Sequence, residues 1–343
     1  MGADPRRHNR QERLGVTGTQ APAGARRGRA RSARGSFGAT LAALESLSLH
    51  GARVAVQVVD LDGGGPALPD GPALPDGSAL PDGTALPEST APPGGMALPG
   101  GSVLSGDGHV PLPVGGLGMV PLLIETAARF DDGSLEPFEL VDRPEEKGAA
   151  PTGLWRTMAV PSLPVTDLAV LAAAGDALAA NALLDRVGHE NVTRRILALR
   201  MPRTALLDRF RDRRGPDDAP HLALGTAREF AALFGALAAG TAVSESVSSR
   251  VVDWLSPPAD AGLVGAMLGV DPFWGGRDDH GVTFFGKTGR EAGARAEAGV
   301  VAGRRGAFAF ALIVAFEDES ALDRHRVHSA FHALGRDLME RAL

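Results

Sequence analysis

Residues 307–316, AFAFALIVAF, carry no polar side chain on either face of an extended chain. Side chains along a strand alternate between the two faces of its sheet, so a strand apolar on both must be covered on both. Such a central strand requires a layered fold, with helices above and below a sheet. Residues 282–285 and 297–302 read as companion strands joined by Gly-rich turns. A helix from 320 to 339 closes the chain, with Val327, Ala330, Phe331, Leu334 and Leu338 recurring at helical spacing as its core stripe.

The other end of the foldable chain supplies matching parts. Residues 36–49 align Phe37, Leu41, Leu44 and Leu47 on one helical face, and 53–59 (RVAVQVV) has the composition of a strand. Between the ends the pattern is helical, through 119–130 (MVPLLIETAARF), 167–174 and 178–187, the last two separated at Gly175-Asp176. Thr226 and Glu229 form a capping box, in which each side chain is expected to satisfy the other's backbone N–H, ahead of a helix burying Phe230, Leu233, Phe234 and Leu237. A further helix at 246–255 ends in Trp254-Leu255. The predicted fold class is α/β in a three-layer arrangement: an antiparallel sheet built from both ends of the chain, terminal helices on one face, and a mostly helical subdomain on the other. A cleft would lie between the sheet and that subdomain.

Residues 1–35 hold nine Arg against Asp4 and Glu12, +7 in all, which leaves −13 on the rest of a chain whose net charge is −6. This basic tail has neither aromatic residues for stacking nor an apolar helical face, so it is expected to be disordered, and nucleic-acid binding is not expected of it. Residues 66–102 form an insertion around a hexapeptide repeat: PALPDG at 66–71 and 72–77, SALPDG at 78–83, TALPES at 84–89 and MALPG at 96–100. Proline at this frequency excludes helix and central strand, and Asp-Gly favours turns, so the insertion too is expected to be disordered. A single domain remains over 36–343, with its sheet part at 36–65 and 280–343 and its helical part at 114–260. No apolar run is long enough to span a bilayer, and none follows Arg6-Arg7 or Arg26-Arg27 as an export signal would need. The expected location is cytoplasmic, unless a misplaced start codon added the tail.

The available chemistry is narrow. Cys and Tyr are absent, which removes thiol nucleophiles, cysteine–metal sites and phenolic bases. His325, His328 and His332 share a face of the last helix that lies opposite its apolar stripe and reads as solvent-exposed, and Asp278-Asp279-His280 reads as turn chemistry. No metal and no cofactor are assigned. Residues 286–289, Gly-Lys-Thr-Gly, place the Lys287 ammonium and the Thr288 hydroxyl at a strand edge, beside a backbone that a ligand can approach closely at Gly289.

Residues 283–303 (TFFGKTGREAGARAEAGVVAG) resemble the Lys-Thr-Gly strand and the strand after it in the serine β-lactamase and penicillin-binding protein superfamily, in particular the actinobacterial serine hydrolases of class A β-lactamase type. Residues 175–188 (GDALAANALLDRVG) resemble that superfamily's Ser-Asp-Asn segment and the helix after it, and 114–124 (VGGLGMVPLLI) stands where its Ser-x-x-Lys helix begins. The resemblance spans 36–65 and 103–343. It implies that the nucleophile and base positions, which in the superfamily attack a lactam or peptide carbonyl, are here Gly116 and Met119. The second motif, which relays a proton and contacts substrate, is here Gly175, Asp176 and Ala177, with only the aspartate kept. The loop that carries a hydrolytic Glu corresponds to 201–225, which contains no Glu.

The loss does not depend on the alignment. Lys147 and Lys287, the only lysines, have Pro144 and Phe284 three residues before them, and none of Asn9, Asn181 or Asn191 has Ser or Tyr two residues before it. Lys287, Thr288 and Gly289 remain. The resemblance implies that they hold a substrate carboxylate, with Arg290 or Arg295 completing an anion pocket and Gly116 and Gly118 adding backbone N–H groups at a helix start. The expected function is that of a catalytically degenerate member that binds a small carboxylate-bearing, β-lactam-like or peptide-like ligand without hydrolysing it. Two alternatives stay open: a hydrolase whose nucleophile has moved to Ser105 or Ser162, and an interaction protein working through the basic tail or the repeat. The oligomeric state is left undefined.

Overall fold

The computed structural model describes residues 37–63, 96–144, 153–211, 214–256, 260–269, 281–317 and 320–343. The Arg-rich tail at 1–35, the repeats at 66–95 and Asp278-Asp279-His280 lie outside the described residues. Helix α1 (Gly38–Leu49) leads into strand β1 (Arg53–Asp60), and β2 (Gly101–Gly106) and β3 (Leu112–Pro113) come before helix α2 (Met119–Asp131). The short strands β4 (Leu140–Asp142) and β5 (Ser162–Pro164) precede α3 (Val165–Ala173), α4 (Ala177–Val187) and α5 (His189–Ala198). Strands β6 (Ala205–Leu206) and β7 (Ala223–Gly225) then lead to α6 (Ala227–Ala238) and α7 (Glu245–Leu255). The chain finishes with β8 (Thr283–Glu291), β9 (Ala294–Gly303), β10 (Gly306–Ala315) and α8 (Ala321–Ala342).

The main sheet has five strands in the order β2-β1-β10-β9-β8, each pair antiparallel. β10 is central, as its two-faced apolar pattern requires. On one face Phe308, Phe310, Leu312 and Val314 share a core with Leu44 and Leu47 of α1 and with Val327, Phe331 and Leu334 of α8. On the other, Ala309, Ala311 and Ile313 belong to the core that includes Phe230 and Phe234 of α6 and Leu123 of α2. The rings of α6 occupy the room left above the alanines. Burying a ring such as Phe310, which has no exposed surface, contributes roughly 2–3 kcal/mol. The molecule thus has the three-layer antiparallel α/β fold, with terminal helices on one face and the helical block on the other.

Three local expectations are corrected. Residues 96–102, assigned above to the insertion, are part of the fold: Met96 N–H donates to the Arg200 carbonyl, and β2 begins at Gly101, paired with Asp60 of β1. The backbones come so close here that a Cβ on Gly100 would lie 2.0 Å from the Asp60 carbonyl oxygen, a contact that composition does not reveal. Strand β8, expected to end at Phe285, runs on through the Gly-rich stretch to Glu291 because β9 pairs with it along that whole length. The capping box is only half made. Thr226 Oγ1 accepts from Glu229 N–H, but the Glu229 carboxylate accepts from Arg203 N–H and the Thr204 hydroxyl, tying α6 to the preceding loop. Among the described residues no helix is long and apolar enough to cross a membrane.

Candidate functional site

β8 is an edge strand, and its alternation decides what each residue of the Lys-Thr-Gly motif faces. Phe285 belongs to the core under the helical block and Phe284 to the core under α8. With a period of two, Lys287 therefore points with Phe285 toward the helical block, while Thr288 and Arg290 point with Phe284 to the opposite face. The side chains of Lys287 and of Thr288 and Arg290, expected in a single pocket, lie on opposite faces of one strand.

On the helical-block face, Lys287 is 6% exposed. Its ammonium has no hydrogen-bond or ion-pair partner among the described residues. Burial pushes its pKa down to about 8, against the attraction of Asp260 and with a further push from Arg290. The second-motif position stands directly beside it: a Cβ on Gly175 would lie 3.7 Å from Lys287 Nζ. Gly175 adopts φ +95, which L side chains rarely take. The first-motif position is also in place, since a Cβ on Gly116, in the 3-10 turn Gly115–Gly118, would lie 3.4 Å from the Thr288 carbonyl oxygen. Gly116, Gly175 and Lys287 thus meet along the edge strand.

The neighbouring positions serve the fold. Met119, 3% exposed, is part of the core. Asp176 caps α4, accepting from Ala179 N–H at 2.9 Å and from Trp155 N–H at 2.8 Å, so the retained aspartate holds backbone. Ala177 is buried in the first turn of the same helix. Gly289 lets the 3-10 turn lie against β8, because a Cβ there would stand 1.8 Å from the Val114 carbonyl oxygen. The loop at 201–225 is pinned by Asn181, whose amide donates to the Phe210 carbonyl and accepts from Phe210 N–H at 2.9 and 2.8 Å. Phe210 is 3% exposed and brings no ionisable group to that attachment point.

On the opposite face, the Thr288 hydroxyl donates to Asp260 Oδ2 at 2.8 Å, and Arg290 forks onto the same carboxylate at 2.7 and 2.9 Å. Asp260 stays below the usual carboxylate range: burial pushes it up, but the Arg290 bonds and charge and the Thr288 bond outweigh that. Glu297, opposite Thr288 on β9, is 1% exposed and receives Val264 N–H at 2.5 Å and Gly265 N–H at 3.4 Å. Burial drives its pKa up to about 8 despite those donors. Arg295, a predicted pocket residue, instead folds back on its own hairpin, donating to the Glu291 and Ala294 carbonyls and lying 5.8 Å from the Phe316 ring centroid. The register pairs Arg295 with Arg290, which places it on the face opposite Lys287. His328 and His332, expected on open solvent, are partly buried where α8 meets the 260–265 segment, with His332 Nε2 3.3 Å from the Gly262 carbonyl oxygen.

Residues 96–342 match the beta-lactamase enzyme family. The chain belongs to that family. Its structural neighbours include a β-lactamase from Sphaerobacter thermophilus, with TM-score 0.68 and 18% identity over 88% of this chain and 96% of that one. PBP-A matches with TM-score 0.64 and 16% identity over 87% of this chain and 95% of its own. A class A β-lactamase of the last common ancestor of Gram-negative bacteria gives TM-score 0.63 and 18% identity over 86% and 97%. No curated protein matches the sequence.

Within this β-lactamase fold Ser105 is badly placed for the Lys287 site. Ser105 lies on β2, at the far edge of the sheet from β8, and its hydroxyl donates to Gln57 Oε1. Ser162 donates to Asp142 at 2.6 Å. A cleft of about 1160 Å³ opens between the Thr283 end of β8 and helices α6 and α7, but none of Gly116, Gly175 or Lys287 lines it. The site is therefore defined by converging groups and not by volume. Sequence reasoning missed Asp260 and Glu297. Glu297 had a signal, a lone carboxyl in the otherwise apolar strand pattern AEAGVVAG, whereas Asp260 sits in a Pro-rich connection that nothing in the sequence links to β8.

Proposed function

We propose that this β-lactamase-family protein binds a small carboxylate-bearing ligand against Lys287 and forms no acyl-enzyme through position 116. Acyl transfer needs a nucleophile, a base to activate it and a group to return the proton to the leaving nitrogen. Gly116 has no hydroxyl, Met119 accepts no proton, and Gly175 has none to relay. One of the structural neighbours, a mutant of PBP-A, forms an acyl-enzyme complex with penicillin G; this chain lacks the side chains for that step at the matching positions.

The observation that carries the binding reading is Lys287, 6% exposed, with its ammonium beside Gly175, a position that carries no side chain. With a pKa of about 8 it remains mostly protonated at neutral pH. A charge in a low-dielectric setting gains more from an anionic partner than one in water. The ligand would supply a closer counter-charge than Asp260 does.

The test combines calorimetry with mass spectrometry. Penicillin-type ligands and simple carboxylates titrated into the parent protein are expected to give binding heats that vanish in Lys287→Met, with no adduct mass in either. Equal heats in both proteins would sink the anion site, and an acyl adduct would show that a nucleophile survives.

A further inference from the structure

Lys287 leaves β8 on the helical-block face with small neighbours beside it. Ala298, its partner on β9, has no exposed surface and carries only a methyl group, and Gly175, whose Cβ would lie 3.7 Å from Nζ, carries no side chain. No carboxylate or carbonyl among the described residues pairs with the amine, and the residue is 6% exposed. Asp260, which bonds Thr288 and Arg290 on the other face of β8, attracts the charge without pairing with it. A lysine is a nucleophile only after losing its proton, and a bonded carboxylate or a full water shell would hold that proton in place. Desolvated lysines without such a partner are the ones that form Schiff bases. We propose that the Lys287 amine is a covalent site for small aldehydes, which it captures as a reversible imine. The inference rests on the reading of Lys287 as the ligand-facing residue of this strand, but it uses the neutral amine and needs no anion.

The step balances without a further reagent. Nζ gives its electron pair to the carbonyl carbon, so the C–N bond forms while the C=O pair moves to oxygen and takes up a proton. The carbinolamine then expels that oxygen as water, and a proton passes from nitrogen to solvent as the C=N bond forms. Water reverses the sequence. An aldehyde presents only hydrogen on one side of its carbonyl carbon, the least bulk for so enclosed an amine to admit. Burial brings the amine from 10.5 to about 8, so at pH 7 roughly 300 times more of it is neutral than of an ordinary lysine. A weaker base is also a weaker nucleophile, here by roughly 10–20-fold on the slope known for thiols. The net gain is roughly 15–30-fold.

Lys147, the only other lysine in the sequence, gives the test an internal reference. The full chain is treated at pH 7 with propionaldehyde and cyanoborohydride, which fixes each imine as a propylated amine, and the labelled peptides are mapped by mass spectrometry. The ratio of label on Lys287 to label on Lys147 is expected to be at least about tenfold higher in the folded protein than in guanidinium chloride, where the depressed pKa is lost. The comparison uses the parent protein alone, so no variant has to fold. A ratio that is unchanged or lower in the folded protein would overturn the proposal and leave a lysine that burial merely shields. Propionaldehyde carries no charge, which separates this inference from the carboxylate site. Preferred labelling of Lys287 alongside unchanged carboxylate heats in Lys287→Met would uphold imine capture and reject the anion site. Heats lost in Lys287→Met, with no folded-state preference for Lys287, would do the reverse.

Discussion

Raising the pH from about 5 to about 7.5 should weaken the parent protein against urea by about 2–3 kcal/mol more than it weakens Glu297→Gln. Glu297 is 1% exposed, and burial raises its pKa from 4.5 to about 8 against the donors Val264 N–H and Gly265 N–H. A carboxyl whose folded-state pKa lies above its unfolded value binds its proton more tightly when folded. The stability it lends is therefore complete below the unfolded pKa and drains away as pH rises through the folded one. Within that window the slope approaches about 1.4 kcal/mol per pH unit, so this interval carries at most about 3 kcal/mol. Glutamine has the shape of the neutral acid and a carbonyl to accept Val264 N–H, but no proton to lose. Lys287 does not blur the comparison, because its pKa is lowered from 10.5 to about 8; its contribution is present above the unfolded value and is lost as pH falls through the folded one, a window above the interval used. Tryptophan fluorescence, through Trp155 and Trp254, both buried, would follow urea unfolding at each pH. Parallel pH profiles for the two proteins would show that Glu297 titrates normally and that its burial is not what sets its proton affinity.

Lys287→Met should stabilise the protein by about 1–3 kcal/mol near neutral pH, because it replaces a desolvated, unpartnered charge with an apolar chain of similar length; a destabilised variant in chemical denaturation would mean that the fold needs the ammonium. Gly116→Ser should fold, since its Cβ would meet nothing closer than 3.4 Å, yet show no cephalosporin turnover because Met119 offers no base. Gly175→Ser should lose about 1–3 kcal/mol through its positive φ, read as a lower melting temperature, and a neutral effect would refute the backbone argument. Asn181→Ala removes a buried amide that both donates to and accepts from Phe210; it should cost about 2–3 kcal/mol and speed limited proteolysis between 201 and 225, and unchanged cleavage would mean that the loop is held elsewhere.

The layers were legible because they rest on period. The ten-residue apolar run could only be a central strand, and the stripe Val327, Phe331, Leu334 could only be one face of a helix against it. Gly116 and Gly175 could be picked out only through the family resemblance; Gly175 stands beside Lys287 Nζ and Gly116 beside the Thr288 carbonyl oxygen. The partition of Lys287 from Thr288 and Arg290 was available in principle, since adjacent residues on a strand face opposite ways, but a motif read as a unit hides it. Asp260 was invisible because it reaches Arg290 across 30 positions of chain through a segment without periodic pattern. Residues 96–102 were misread because their Pro and Gly continue the repeat's composition, while the pairing of Gly101 with Asp60 is a tertiary fact.

That partition bears on why a lysine stands at 287. Thr288 is accounted for by Asp260, and Gly289 by the Val114 carbonyl oxygen that any Cβ would strike. The close approach at Gly289 would be required by this fold whether or not a ligand existed. Lys287 is different. Its ammonium makes no hydrogen bond or ion pair among the described residues, it sits 6% exposed, and its depressed pKa records a desolvation cost that the attraction of Asp260 does not fully offset. An apolar side chain of the same length would fill the space at lower free energy. Of the three residues of the motif, Lys287 is the one without a hydrogen bond or ion pair among the described residues, and it is the residue on which the proposed carboxylate binding rests.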